Sequence, residues 1–498
     1  MDSGLHLGDL LDRVVELSGD SIALNCGEVC ESYQDFSERV GSLAASLNEM
    51  GVGPGDRVCV LAPNCHRVVE LYWALALLGA CAVPIEPRLT SGEIADIIGA
   101  TCPKALVASS WDKLAFATDC QRIAMTADSS DEEQPNLETF CQAQKPFHPP
   151  REVTPETPVL IMYTAAVSGK SRGAMLTHRN LVTQVVQTSE AFGLTTADGH
   201  GLLLPLSHTF GAYLMFVALA RGVPTSVIAN FDASQVVREI DRGNITFFAE
   251  FAPMGQRILD AAKEAQVNLA GKLRAVTGLE VPDTIEGYIK AGVDFYCLYG
   301  QTETSGLVCA GKVTTDSVVA NYSGKALCLS HLSLRDDQGN PVKPGEPGEL
   351  WVRSDCVVNR YWPNEPTNLT DEGWLKTGDL LSAEARGNLF FYGRVGARDL
   401  IKPGGLNVYP AEVEQVLMRH PRVAAALVFG TPDPSWREKV VAVVAPKDDG
   451  EGLEGALMEH TSKNLPSFKQ PKVIIVDASL IVEGRVDASG IRTKYANV

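Results

Sequence analysis

Tyr299-Gly300-Gln301-Thr302-Glu303-Thr304-Ser305-Gly306 is the stretch whose reading decides the fold. The apolar run Val293 to Leu298 precedes it, and small and hydroxyl residues bracket it, which predicts a loop at the end of a strand. Strand ends of this kind carry ligand chemistry in open α/β sheets. Within five positions lie an aromatic ring, a threonine hydroxyl and a carboxylate. They offer a face for stacking a base, a donor to phosphate and a hard oxygen ligand for a divalent cation. A polar turn with a capping threonine would read the same way, so the octapeptide draws its weight from the rest of the chain.

At 498 residues the chain exceeds one compact core and predicts at least two domains. Its 45% apolar and 21% charged residues are ordinary for a soluble globular protein. With 43 basic against 61 acidic residues the net charge is −18, which argues against nucleic acid or a membrane surface as a general partner. The start, Met1-Asp2-Ser3-Gly4, has no basic segment followed by an apolar core. The longest apolar run, Leu71 to Ile85, is broken by Gly79 and Pro84 and is too short to span a bilayer. The 12 cysteines are scattered with no C-x-x-C pair, so the expectation is a cytoplasmic protein with reduced thiols and no integral membrane segment.

Periodicity predicts a helix over Ser32 to Met50, with Phe36, Val40, Leu43 and Leu47 on one face. A strand at Arg57 to Leu61, a helix at His66 to Leu78 and a strand at Cys81 to Ile85 follow, a βαβ unit that implies a parallel sheet. Ser129 to Pro158 turns acidic and proline-rich and reads as a surface connection. Alternation then runs to about Cys297, and Leu332 to Arg353 reads as short strands between Gly/Pro turns. Four glycines and a proline over Gly393 to Gly405 mark a boundary. Beyond it, Tyr409 to Met418 reads as a helix, and Ala424 to Val428 and Val440 to Val444 as strands. The fold class is therefore α/β: a large lobe, residues 1–392, of mixed and parallel sheets with a β-rich subdomain, and a small α+β lobe, residues 393–498.

Thr164-Ala165-Ala166-Val167-Ser168-Gly169-Lys170-Ser171-Arg172-Gly173 follows the apolar run Val159 to Met162. Backbone N–H groups in such a loop can cradle a polyphosphate, with Lys170 and Arg172 adding charge. A Walker A loop would need glycine where Thr164 stands.

The octapeptide, taken with Tyr163 to Leu181, Leu204 to Gly211, Gly348 to Trp362, Gly373 to Leu380 and Gly393 to Val413, resembles, in order, the motifs of the adenylate-forming superfamily. That superfamily includes acyl-CoA synthetases, the adenylation domains of peptide synthetases and luciferases, and the likeness is nearest to bacterial acyl-CoA synthetases. The resemblance implies ATP/AMP, Mg2+, coenzyme A and a small carboxylic acid as ligands. By it, Thr164, Ser168, Gly169, Lys170, Arg172 and Gly173 hold phosphates. Tyr299, Gly300 and Gly278 hold adenine, Thr302 contacts the α-phosphate, Glu303 holds Mg2+, and Asp379 and Arg394 reach the ribose. His208 borders the reacting carboxylate, with Phe248, Phe251, Gly278 and Gly306 in the acid pocket, and Gly404 and Gly405 line the thiol channel. Gly396, or Arg398 when counted back from Asp399, stands at the hinge between lobes that rotate between two half-reactions.

Three departures from the superfamily pattern stand out. Ala165, Ala166 and Val167 replace two hydroxyl residues and a glycine in the phosphate loop, and the hinge position carries glycine. Arg485 occupies the place of a lysine that contacts the carboxylate and α-phosphate. Leu204 to Tyr213 contains no carboxylate, and an unpaired ammonium in a closed site is costly, so an amino acid substrate is disfavoured. The expected function is an AMP-forming acyl-CoA synthetase for an apolar, fatty-type acid. The alternatives are an aryl-acid CoA ligase, an acyl-carrier-protein ligase and a weakly catalytic nucleotide- or acyl-binding homologue. A homodimer is compatible with all of them.

Overall fold

In the computed structural model the residues described are 4–114, 120–125, 135–150, 152–164, 171–314, 321–384, 386–394, 401–406, 408, 410–482, 485–496 and 498. Among them, strands assemble into sheets of thirteen, eight, three and two strands. The class is α/β, a large sheet-rich lobe followed by a small C-terminal α+β lobe.

The helix Tyr33–Glu49 starts where Ser32 accepts a hydrogen bond from the Asp35 N–H at 3.1 Å, the reciprocal box that satisfies free amides at a helix start. Phe36, Val40, Leu43 and Leu47 on its predicted face are fully buried. Arg57–Leu61 and Cys81–Pro84 pair in parallel through the helix His66–Leu78, as the periodicity implied. The stretch read as a surface connection differs in part. Leu137–Gln142 is a helix with Leu137 and Cys141 buried, and the Phe140 carbonyl accepts from Ser42 at 2.8 Å. Asn136 caps it, a local signal outweighed by the proline-rich composition around it.

Two sheet edges build the cleft. In the thirteen-stranded sheet, His200–Leu202, Phe247–Phe251, Ala275–Leu279 and Asp294–Gln301 run parallel side by side. Their C-terminal ends bring Phe251, Leu279 and Gln301 to one edge, where ligands bind in such sheets. The expected loop at 299–306 is shorter than its sequence suggests. The strand continues through Gln301, because Tyr299, Gly300 and Gln301 pair with Cys309, Leu307 and Gly306 across a bulge between Tyr299 and Gly300. Only Thr302–Thr304 forms the turn. In the eight-stranded sheet, Pro158–Thr164 lies beside Cys81–Pro84 and pairs antiparallel with Arg172–Thr177, so Thr164 and Arg172, separated in sequence by residues 165–171, face each other.

The β-rich part pairs His331–Arg335, Gly348–Arg353, Leu375–Ala383 and Leu389–Arg394 antiparallel, with Asp379 opposite Arg394. The small lobe has its own three-stranded sheet, Val423–Asp433, Arg437–Pro446 and Val473–Val476. Its core includes Val413, Leu417, Val428, Val440 and Leu457. Gly396, the expected hinge, lies with residues 395–400 outside the described residues, as do Ser168, Gly169 and Lys170. No helix among the described residues is long and apolar enough to cross a membrane.

Candidate active site

The two sheet edges enclose a cavity of about 280 Å³. Thr164, Arg172, His208, Phe251, Gly300, Thr302, Glu303, Gly306, Asp379 and Gly405 all lie on its wall. Residues up to 241 positions apart in sequence thus reach one space.

Asp379 is fully buried. Its Oδ2 accepts from the Tyr299 hydroxyl at 2.6 Å and from Gln301 Nε2 at 2.7 Å. The carboxylate is thus fixed by the same strand that carries the octapeptide. Tyr299 itself lines an adjoining crevice, with Phe391 at 6.5 Å between ring centroids. Glu303 is held differently: Tyr361 donates its hydroxyl to Oε1 at 2.8 Å, and the Val358 N–H donates to the Glu303 carbonyl at 2.8 Å. The guanidinium of Arg172 lies 4.1 Å from the centroid of the Tyr361 ring. Arg172 Nε is buried without a partner among the described residues, which leaves a donor to spare for an anion.

At the other end, His208 caps the buried helix Thr209–Ala220, its Nδ1 accepting from the Phe210 N–H at 3.2 Å. Burial pushes its pKa down to about 4, with Arg88 and Lys402 adding to the effect against Glu86. The ring is therefore neutral near pH 7, and with Nδ1 accepting, the proton sits on Nε2 as a donor. Thr209 and Thr302 share a hydrogen bond at 3.0 Å.

Four rings close this end. His208 and Phe251 meet edge to face at 5.8 Å, Phe251 and Phe210 at 5.6 Å, and Phe210 stacks on Tyr213 at 5.5 Å. Gly306, at φ +142°, lies flat against the Tyr213 ring, and a Cβ there would stand 2.9 Å from it. Only glycine lets that ring form the floor.

Besides Tyr299, which lines the adjoining crevice, and Gly404, three expected positions do not reach the wall. Phe248 belongs to a separate apolar cluster with Leu203, Val236 and Ile258, because strand alternation turns it to the face opposite Phe247 and Phe251. Gly278 sits beside Glu250 in strand register, one residue behind the wall residue Leu279. Gly173 packs under Ile161 and Tyr163. The side chains of Arg394 and Arg485 lie outside the described residues; the backbone of Arg485 pairs with Val482.

Sequence reasoning passed over Gln301, Tyr361 and Lys402, all on the cavity wall. Each stands inside a stretch singled out for other residues, so an amide, a phenol and an ammonium beside expected positions were the available signal.

The small lobe closes over this space. In its 403–405 turn, ideal Cβ positions at Gly404 and Gly405 would lie 2.5 Å from the Ala252 carbonyl and 2.4 Å from Phe251. A second crevice of about 520 Å³ leads outward from His208 and Thr302 past Arg88, Leu406 and Phe468.

The chain matches the model of the AMP-binding enzyme family over residues 11–362 and that of the AMP-binding enzyme C-terminal domain over 412–480. It is 29% identical to a feruloyl-CoA synthase from Amycolatopsis sp over 481 residues, 94% of each chain. It is 28% identical to an indoleacetate–CoA ligase from Aromatoleum aromaticum over 484 residues, 95% of this chain and 94% of the relative. Among solved structures, an amide bond synthetase from Marinactinospora thermotolerans shares the fold with a TM-score of 0.85 at 24% identity, covering 98% of this chain and 99% of that one. The o-succinylbenzoate CoA synthetase of Bacillus subtilis, in complex with ATP and magnesium ion, shares it with a TM-score of 0.69 at 24% identity, over 94% and 95%.

Proposed function

The chain belongs to the AMP-binding enzyme family, and from that premise we propose that it is an AMP-forming acid–CoA ligase acting on an apolar, ring-bearing acid. The observation that carries this reading is the convergence of Thr302, Glu303, Asp379 and Arg172 on one cavity whose far end is boxed by aromatic rings.

In the first half-reaction the acid carboxylate enters beside neutral His208, whose Nε2–H orients it without holding it as a tight ion pair. One carboxylate oxygen attacks the α-phosphorus of ATP, the bond to the bridging oxygen breaks, and pyrophosphate leaves. Thr302 donates to the α-phosphate, Asp379 accepts from the ribose hydroxyls, and the Tyr299–Gly300 segment borders the base. Thr164 and Arg172 hold the outer phosphates with the neighbouring Ser168, Gly169 and Lys170. Glu303 suits Mg2+, since Tyr361 already orients a hard oxygen donor toward the cavity. Bound there, the ion would neutralise charge on the departing pyrophosphate. In the second half the thiolate of coenzyme A, entering along the crevice past Arg88 and Phe468, attacks the acyl carbonyl; a C–S bond forms and AMP leaves.

The expectation of a fatty-type chain and that of an aryl acid both need an apolar pocket. The floor at Tyr213 and the stacked Phe210 favour the second, because a flat ring gains offset and edge contacts where an extended chain meets a wall. A panel of benzoic, phenylacetic, cinnamic, octanoic and hexadecanoic acids with ATP, Mg2+ and coenzyme A tests this by mass spectrometry. Ring acids should lead. Tyr213→Ala removes the floor and should shift preference toward octanoic acid by about 10- to 100-fold, the range of one or two buried methylene-sized contacts. A variant that loses all acids equally would show that Tyr213 serves only the core.

Arg485 carries the charge of the superfamily lysine on a broad planar fork. Arg485→Lys should raise the rate of acid-dependent pyrophosphate exchange by up to about tenfold, a fraction of what one transition-state donor supplies. An unchanged or lower rate would remove Arg485 from this role.

A further inference from the structure

Lys469, on the small lobe, is 5% exposed and its ammonium has two carboxylate partners. Glu412 of the same lobe accepts at 2.7 Å, and Glu93 of the large lobe accepts at 2.9 Å. The first partner travels with Lys469 whatever the lobe does; the second is reached only across the lobe boundary. Next to it, Arg88 of the large lobe lies 5.3 Å from the ring centroid of Phe468.

The Glu93 carboxylate is shared in an unusual way. While Oε1 meets Lys469, Oε2 accepts from the Thr90 N–H at 2.9 Å and the Thr90 hydroxyl at 2.8 Å, closing the capping box of the helix Ser91–Thr101. Both ends of the pair are thus ordered by bonds internal to their own lobes. Separation would leave Lys469 with Glu412 and Glu93 with Thr90, so neither charge is stranded and neither side chain must be ordered again on return. A contact of this kind forms and breaks with little reorganisation. The burial of Lys469 and the shielding of Glu93 keep it stronger than an exposed ion pair.

From this geometry we infer that Glu93 and Lys469 form a reversible charge latch that positions the small lobe for the thiol half-reaction. The inference rests on the two-step reading above. With the latch closed, the 403–405 turn sits on Phe251 and Ala252, and Leu406 and Phe468 line the outward crevice. Glu93 is a positioning residue: it borders the outward crevice, reaches neither the acid nor ATP in that reading, and biases which of two lobe arrangements is populated.

Glu93→Gln tests it. Glutamine keeps the capping box, because its carbonyl oxygen can accept from Thr90, and turns an amide NH2 toward Lys469, so both the charge and the acceptor facing the ammonium are lost. The two halves are measured separately with the best acid of the panel: pyrophosphate exchange for the first, and transfer to coenzyme A from the chemically prepared acyl-adenylate for the second. Transfer should fall by about 10- to 100-fold in kcat, the range for one hydrogen bond to a charged group, while exchange holds or rises. Hydrogen exchange of the unliganded protein should speed up in peptides covering 403–406 and 88–97, without change in Tm beyond about 2 °C.

Equal losses in both halves would mean Glu93 acts only on stability and would overturn the latch. A lower KM for coenzyme A with faster transfer would mean that Glu93 merely repels the incoming phosphates, and would also overturn it. If no acid of the panel is activated the proposed reaction fails, yet the hydrogen-exchange comparison still decides the latch: unchanged exchange in both peptides rules it out.

Discussion

Glu303→Gln lowers acid-dependent pyrophosphate exchange by on the order of 100- to 1000-fold, with a smaller loss in transfer from preformed acyl-adenylate. The magnitude is that of removing one preorganised group that stabilises charge developing in the transition state. Charge builds on the bridging oxygen as pyrophosphate departs, so a carboxylate that holds a divalent cation there contributes more to the transition state than to the ground state. Glutamine preserves the packing: its carbonyl oxygen can still accept from Tyr361, which stands 2.8 Å from Oε1. The change is therefore one of charge, and the fold should persist with an unaltered Tm. The second half releases AMP rather than pyrophosphate, and the acyl-adenylate carries a single phosphate. A variant in which both halves fall together would place Glu303 among structural groups, held as it is between Tyr361 and the Val358 N–H. Raising the Mg2+ concentration separates these cases further. A weakened cation site recovers part of its rate at high Mg2+, and a disturbed turn recovers none.

Much of this site was legible because its chemistry is local in sequence. Thr302, Glu303, Gly300 and Gly306 come from one octapeptide, and the βαβ unit at 57–84 follows from apolar periodicity alone. What escaped depends on contacts between distant segments. The Tyr361 hydroxyl reaches Glu303 across 58 positions, and Tyr299 reaches Asp379 across 80; no pattern within either segment announces these pairs. The Asp379 carboxylate was expected to find its partners on a ribose, and the protein supplies two itself through Tyr299 and Gln301. Phe248 failed for another reason. This strand is buried on both faces and apolar on each except at Glu250, so Phe247, Phe248 and Phe251 look alike until neighbouring strands decide which face meets the cavity. The strand reaching Gln301 was cut short in the sequence reading because its ladder partner, Gly306–Lys312, lies after the turn and carries three glycine or alanine residues with little β-propensity.

Gly405→Val has the second large effect, and it falls on the opposite half-reaction. Gly405 stands at φ +77°, a left-handed conformation that costs a residue bearing a Cβ roughly 1–2 kcal/mol. The larger obstacle is contact. A Cβ at this position would stand 2.4 Å from Phe251 Cγ and 2.7 Å from Phe251 Cδ2, and Phe251 is itself fixed between His208 and Phe210. Rings packed on both sides cannot yield by that much. The 403–405 turn must then stand off from the strand end by about 1 Å, and displacement of that size around a reacting centre costs on the order of 100-fold. Transfer of the acyl group from its adenylate to coenzyme A should fall by that factor, mainly in kcat. Pyrophosphate exchange should stay within about twofold of the unaltered enzyme if the lobe is turned away during adenylation, as the two-step reading requires. The comparison with Glu303→Gln is what gives the experiment its force. One substitution silences the step that cleaves ATP and spares the step that uses thiol, and the other does the reverse. If Gly405→Val instead slowed both steps alike, the docked turn would belong to adenylation as well, and a single lobe arrangement would have to serve the whole reaction.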